Sequence, residues 1–165
     1  MRTIYLIGFM GSGKSTVGTY LERNYNVSFI DTDDYIEQKY RKEIPAIFEK
    51  EGENQFRQYE IEALKSLKDY NVVATGGGIV ERDENYQTMK NNGIIIYLQA
   101  SFHEIMTRLQ HDASRPLWNQ DTKKREKLYE RRHQLYESYS DEVVLTEKKD
   151  IEEIGRTIMQ LINEE

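Results

Sequence analysis

The residues best placed to do chemistry stand near the start of the chain, in Gly8-Phe9-Met10-Gly11-Ser12-Gly13-Lys14-Ser15. Their spacing is G-x-x-x-x-G-K-[ST], the pattern of a loop whose backbone N–H groups turn inward around a phosphate. Glycines permit that turn where most side chains would clash. Thr3–Ile7, just before, is an apolar run of strand formers, and residues 16–23, just after, read as the first turns of a helix. Strand, glycine-rich loop and helix is the setting in which this pattern binds a nucleoside triphosphate, with the positive end of the helix dipole on the phosphates. Lys14 is positioned to reach the β- and γ-phosphates, and Ser15 to ligate Mg²⁺.

Further polar groups follow other strand-like runs. Asp31-Thr32-Asp33-Asp34 closes one of them. A carboxylate near Lys14 and Ser15 can hold Mg²⁺ directly or through water. A second can accept the proton of an attacking hydroxyl, as phosphoryl transfer to an alcohol requires. Capping of the following helix, read as 35–40, needs only one residue, so Asp34 is taken as the cap and Asp31 and Asp33 as chemistry. Gly76-Gly77-Gly78 closes another run. A tight turn toward a helix starting at Asp83 needs one or two glycines. Three fit a backbone that must approach a ligand closely.

Phe56-Arg57 lies in a helical segment, 53–68, with Glu53, Gln55 and Glu60 nearby. Arg57 reads either as a surface ion pair or as a planar fork for an acceptor carboxylate. Arg132 poses the same choice, with Glu130 or a more distant glutamate as its plain partner. Phe48 and Phe56 read first as core and second as a pocket edge. Residues 110–122 form the longest aperiodic stretch, interrupted by Pro116. Such loops are often lids. An arginine there, Arg115, would complete the site on closure and keep water out; the plain alternative is a surface loop.

These groups need a scaffold that brings them together. Strand-like runs recur at 3–7, 28–31, 72–75, 94–98 and 142–145, with helical patterns between them. Phe102, Ile105, Met106 and Leu109 have i, i+3, i+4, i+7 spacing, and Ile151, Ile154, Ile158 and Leu161 form a similar stripe behind Asp150 as N-cap. The pattern predicts an α/β fold: a five-stranded parallel sheet with helices on both faces, whose ligands bind at the carboxyl ends of the strands. The chain, 165 residues long, reads as one domain, 1–165, without repeats or linkers; its two prolines, Pro45 and Pro116, mark breaks in helical pattern.

There is no cysteine, which excludes disulfides and thiolate metal sites. No apolar stretch approaches the roughly 20 residues of a membrane span, and the first strand begins at once, so a soluble cytoplasmic protein is expected. The net charge of −6 argues against a nucleic-acid surface. Lys123, Lys124, Arg125, Lys127, Arg131 and Arg132 nonetheless cluster. They read as a solvated helix, one or two of whose arginines face an anionic ligand.

Taken in order, these motifs resemble the shikimate kinase family of the nucleoside-monophosphate-kinase-like P-loop fold, over nearly the whole chain. Residues 8–16 are similar to its phosphate loop, Asp31-Thr32-Asp33 to its D-x-D motif, and Phe56-Arg57 with Glu60 to its F-R-x-x-E segment. Gly76-Gly77-Gly78 matches its triple glycine and Arg115-Pro116-Leu117 its lid motif. Arg131 to Tyr136 resembles its R-x-x-x-Y. The resemblance implies transfer of the γ-phosphoryl group of ATP to the 3-hydroxyl of shikimate, with Mg²⁺. It implies that Asp33 binds the reacting hydroxyl as candidate base. Asp31 would sit near Mg²⁺ with Ser15. Arg57 and Arg132 would hold the acceptor carboxylate, Gly76, Gly77 and Gly78 its ring hydroxyls, and Phe48 and Phe56 would line its pocket. Gly11, Ser12, Gly13, Lys14, Ser15 and Thr16 would hold the phosphates. Lys14 and Arg115 would stabilise the transferring group, and Arg108 and Pro116 would pack on adenine. A substrate-binding segment at about 31–60, a lid at about 110–122 and a monomer without nucleic-acid or membrane partners complete the expectation. Trp118 stands where many relatives carry an aliphatic residue. Gluconate kinase is the neighbouring enzyme reading, and a non-catalytic nucleotide-binding module the reading from another class.

Overall fold

The computed structural model describes residues 2–110 and 121–163. The expected site residues Arg115 and Pro116, with Leu117, Trp118 and most of the expected lid at 110–122, lie outside the described residues.

The strands are β1 (Thr3–Ile7), β2 (Phe29–Asp31), β3 (Val72–Ala74), β4 (Gly93–Gln99) and β5 (Glu142–Leu145). They form one five-stranded sheet in the order β2-β3-β1-β4-β5, every neighbouring pair parallel. Between and after them run α1 (Lys14–Tyr25), α2 (Thr32–Tyr40), α3 (Ile44–Lys50), α4 (Glu53–Ser66), α5 (Asp83–Asn92), α6 (Phe102–Leu109), α7 (Thr122–Tyr139) and α8 (Ile151–Asn163). The predicted strands are all present, no end shifted by more than one residue.

β1 lies at the centre, paired on both sides and fully buried, so it is apolar without interruption. Its alternating side chains feed two cores. Tyr5 and Ile7 face a layer that draws on α2 to α7, through residues such as Ile36, Leu64, Met89, Ile105 and Tyr136. Ile4 and Leu6 face Val17 and Leu21 of α1 and Ile154 and Ile158 of α8. Helices therefore cover both faces, as predicted. The order β2-β3-β1 sets the carboxyl ends of these strands side by side. Asp31, Gly76 and the phosphate-loop residues follow them, so three motifs distant in sequence become neighbours.

One local expectation is corrected. α2 starts at Thr32, not Tyr35, and its cap is Asp31, not Asp34: Asp31 is extended (φ −99°, ψ 131°) and its carboxylate accepts the Asp33 N–H at 2.9 Å. The strand passes into the helix with no intervening loop, so the last strand residue is the cap. Asp34 is exposed inside the first turn. At the other end of the chain Asp150 caps α8 as expected, accepting the Glu153 N–H at 2.8 Å. Pro45 sits in the first turn of α3, where its missing N–H costs nothing. Among the described residues no helix is long and apolar enough to cross a membrane.

Candidate active site

The donor half is built from backbone. Gly13 precedes α1 at φ 96°, ψ 13°, a left-handed conformation, and a Cβ added there would meet nothing within 4 Å. Backbone dihedral, not space, calls for glycine at that position. The start of α1 has no side-chain cap and no acidic residue in its first turn. Its outward N–H groups therefore present positive potential with no side-chain acceptor to satisfy them, which is how a helix start receives an anion. Ser12 is buried and its hydroxyl has no hydrogen-bond partner among the described residues. The Lys14 ammonium folds back onto the loop, donating to the carbonyls of Gly8 at 2.7 Å and Phe9 at 3.0 Å.

Asp31 links this half to the next. Besides capping α2, it accepts the Ser15 hydroxyl on its other oxygen at 2.5 Å. A hydroxyl and a carboxylate thus meet beside the loop. Both are hard oxygen donors of the kind Mg²⁺ takes, and they fit that ion with phosphate oxygens and water completing its shell. No group of three or more His, Cys, Asp or Glu able to hold a metal occurs among the described residues.

The acceptor half is built from side chains gathered around the three glycines. A Cβ on Gly76 would lie 2.9 Å from both Asp33 Oδ1 and Glu60 Oε1. One on Gly77 would lie 3.5 Å from Arg132 Nη1, and one on Gly78 2.3 Å from both terminal nitrogens of Arg57. None of the three has a positive φ. Close approach explains Gly76 and Gly78, where charged groups occupy the space that a side chain would take; at Gly77 a Cβ would make only ordinary contacts. Thr32 fixes the segment from one side, its hydroxyl accepting the Gly76 N–H at 3.0 Å. Tyr136 of α7 fixes it from the other, its hydroxyl donating to the Gly77 carbonyl at 2.5 Å.

The charges here are buried and paired. Arg57 donates to Glu60 at 2.7 Å and to the exposed Glu53 at 3.3 Å, and Glu60 is fully buried. The surface ion pair considered for Arg57 is thus a buried one, with an exposed partner added. Arg57 Nε, Glu60 Oε1 and Asp33 Oδ1 are buried without hydrogen-bond partners among the described residues. Such orphaned groups are rare unless a ligand or water satisfies them. Burial, reinforced by the charges of Asp31 and Glu60, pushes the Asp33 carboxyl up to about 7 against the pull of Lys14. Burial also raises Glu60, against the pull of Arg57. Arg132 is buried on α7 beside Tyr129 and Tyr136, while most of the basic cluster is exposed. Its partner is Glu81, at 2.8 Å.

An open cleft of about 480 Å³ runs along the carboxyl ends of the strands. Asp31, Asp33, Gly76 and Gly77 line one end and residues 10–17 the middle. Arg108, Thr146 and Lys149 line the other. Arg108 is held there by Glu104 at 2.9 Å and by the Gly11 carbonyl at 3.3 Å. Gly78, Arg57, Arg132, Phe48 and Phe56 do not line this cleft; Arg57 lies against Gly78 and Arg132 beside Gly77. Phe56 is buried core, its ring 4.7 Å from that of the half-buried Phe48 and 5.3 Å from the Arg57 guanidinium carbon. The structure also places Glu81, Thr32 and Tyr136 in the network, none of which was assigned a role from sequence, and makes Glu60, an ion-pair candidate for Arg57, its buried partner. Glu60 had a readable signal in its i, i+3 spacing from Arg57, and Tyr136 one in the R-x-x-x-Y segment.

The shikimate kinase family model matches residues 10–163. The shikimate kinase of Bacillus cereus strain AH187 is 42% identical over 168 residues, covering 99% of this chain and 100% of that protein. Among solved structures, shikimate kinase from Acinetobacter baumannii in complex with shikimate superposes with a TM-score of 0.91 at 35% identity, covering 99% of this chain and 94% of that one. The shikimate kinase of Aquifex aeolicus superposes with a TM-score of 0.85 at 37% identity, covering 98% of this chain and 96% of that one.

Proposed function

The chain belongs to the shikimate kinase family, and from that premise we propose how it transfers the γ-phosphoryl group of ATP to the 3-hydroxyl of shikimate, giving shikimate 3-phosphate and ADP. The observation that carries the reading is the glycine segment: a Cβ on Gly76 would crowd the Asp33 and Glu60 carboxylates and one on Gly78 the Arg57 guanidinium, while Arg132 lies alongside Gly77. Two carboxylates, of which Glu60 is paired with Arg57, and two guanidinium groups gathered there suit an acceptor with a hydroxyl to deprotonate and a carboxylate to hold.

The phosphates enter the loop at residues 11–16, where backbone N–H groups and the start of α1 receive them. Lys14 exchanges the Gly8 and Phe9 carbonyls for β- and γ-phosphate oxygens, which are stronger acceptors for an ammonium. Asp33 orients the acceptor hydroxyl in line with the γ-phosphorus and takes its proton. A carboxyl near 7 is matched to that task at neutral pH. Arg57 and Arg132 bind the acceptor carboxylate, each keeping a glutamate on another edge, and Phe48 and Phe56 back the pocket. Ser15 and Asp31 are the residues that would hold Mg²⁺, Asp31 through water. When bound, that ion neutralises charge developing on the phosphate oxygens. Arg108 and Pro116 pack on adenine, and Arg115 adds positive charge at the transferring group. The enzyme acts as a cytoplasmic monomer, with no nucleic-acid or membrane partner.

Coupled ADP release tests the reading with shikimate, gluconate and nucleoside monophosphates in parallel. Strong stimulation by shikimate alone is expected. Equal or greater stimulation by gluconate or a nucleotide would overturn it.

A further inference from the structure

Arg131 and Arg132 are consecutive on α7, so their side chains leave the helix about 100° apart. Both nonetheless converge on one carboxylate. Glu81 accepts Arg132 Nε at 2.8 Å and takes Arg131 in a two-pronged pair at 2.8 and 2.9 Å. It lies in the 3-10 turn Ile79–Glu81 that directly follows Gly78, and its own N–H is bonded to the Gly78 carbonyl at 3.0 Å. The carboxylate is therefore rigidly joined to the glycine segment. Burial opposes its charge, but the hydrogen bonds and charges of Arg132 and Arg131 hold the Glu81 carboxyl below the ordinary range. With both guanidinium groups attached it stays ionised.

The edge of Arg132 that Glu81 takes decides what remains. Nε is committed to Glu81, and Nη1 is turned toward Gly77. The Arg132 side chain is only 9% exposed and that of Arg131 59%. Arg132 is thus aimed inward, while Arg131 closes the carboxylate from the solvent side.

We infer that Glu81 is a positioning residue for the acceptor: it grips the Nε edge of Arg132 so that the terminal nitrogens present to the acceptor's carboxylate beside Gly77. This rests on the reading of Arg132 as a carboxylate ligand. Arg131 is the outer half of the grip, sharing Glu81 so that its charge is fully paired before substrate arrives. Without Glu81 the guanidinium keeps its helix but loses its orientation, and an ordered acceptor contact becomes a diffuse attraction.

The test is a steady-state and melting series on the full chain with Glu81→Gln, Glu81→Asp, Arg132→Ala and the Glu81→Gln/Arg132→Ala double variant. Glu81→Gln is expected to raise KM for shikimate about tenfold, the worth of one oriented charge-assisted bond. KM for ATP and kcat should stay within about twofold, because the donor half does not touch Glu81. Glu81→Asp, which keeps the charge on a shorter arm, should fall between, and it carries the same reading if Glu81→Gln does not fold. The double variant should be no worse than Arg132→Ala alone, because Glu81 acts through Arg132. A lower melting temperature with unchanged shikimate KM would make Glu81 merely structural and overturn the inference, as would additive effects in the double variant. An unchanged KM in Arg132→Ala would overturn the carboxylate reading itself, whatever Glu81 does.

Discussion

The two halves of the site are made of different material. The phosphate-binding part of the donor half is one contiguous stretch whose recognition groups are backbone N–H groups, helped by Lys14 and Ser15. The acceptor half gathers side chains from α2, α4 and α7 around the glycine segment. Backbone recognition suits a ligand part that many proteins share, since a phosphate is met by any loop of the right shape. Side-chain recognition suits the part that is particular to this enzyme. The second half also carries the electrostatic load: an orphaned Asp33 oxygen, a buried Arg57–Glu60 pair and a buried Arg132 held by Glu81. Its groups are held in place before substrate binds, which limits the ordering left to do on binding.

The comparison can be broken most forcefully at the junction of the halves. Lys14→Ala removes the cation that neutralises the transferring phosphoryl group, and kcat should fall by about 10³-fold or more. Asp33→Asn removes the proton acceptor, and kcat should fall by roughly 10²- to 10⁴-fold. In the parent enzyme kcat/KM for shikimate should decline as pH drops through about 7, where Asp33 takes up its proton. A flat profile between pH 6 and 8 would remove Asp33 from the proton transfer.

The same carboxyl has a stability signature of the opposite sense. Its folded value of about 7 lies above the 3.8 of a free aspartate side chain, so between the two the folded state holds a proton that the unfolded state has lost. The contribution of Asp33 to stability is therefore greatest below pH 4, shrinks as pH rises, and has gone above pH 7. Asp33→Asn should raise the melting temperature most above pH 7 and least near pH 4, with a gain of at most about 4 kcal/mol. Melting curves at pH 5 and 8 check this, and an equal shift at both would contradict it.

A smaller effect is expected at the glycine segment. In Gly78→Ala the new methyl would sit 2.3 Å from the Arg57 terminal nitrogens, so the guanidinium must move. Shikimate KM should rise with ATP KM unchanged, and stability should drop by about 1–3 kcal/mol. Equal changes in both KM values would erase the distinction between the halves.

That distinction also explains what was legible in the sequence. The phosphate loop is contiguous and its flanks are periodic, so its place and its partners could be read directly. The five strands and their parallel order followed from the alternation of apolar runs with helices. Asp33, Arg57 and Arg132 could be named as candidates, and Glu53 and Glu60 as neighbours of Arg57, but not the partner of Arg132. Glu81 lies 51 residues from Arg132 and looks like any surface glutamate; only the packing of α7 against the turn after Gly78 brings them together. Asp31 was read as chemistry and Asp34 as cap because one carboxylate suffices for a cap. The structure gives Asp31 the cap and a bond to Ser15, since its two oxygens point to different partners. The three glycines read as a backbone that approaches a ligand; what the structure brings against Gly76 and Gly78 is the protein's own charged side chains.

The most direct test of the division is calorimetric titration of shikimate, without nucleotide, into the parent enzyme, Lys14→Ala and Arg57→Ala. Lys14→Ala should bind shikimate within about threefold of the parent, and Arg57→Ala should bind at least about tenfold more weakly, the cost of losing a charge-assisted clamp. Equal weakening in both variants, or undiminished binding by Arg57→Ala, would contradict the account.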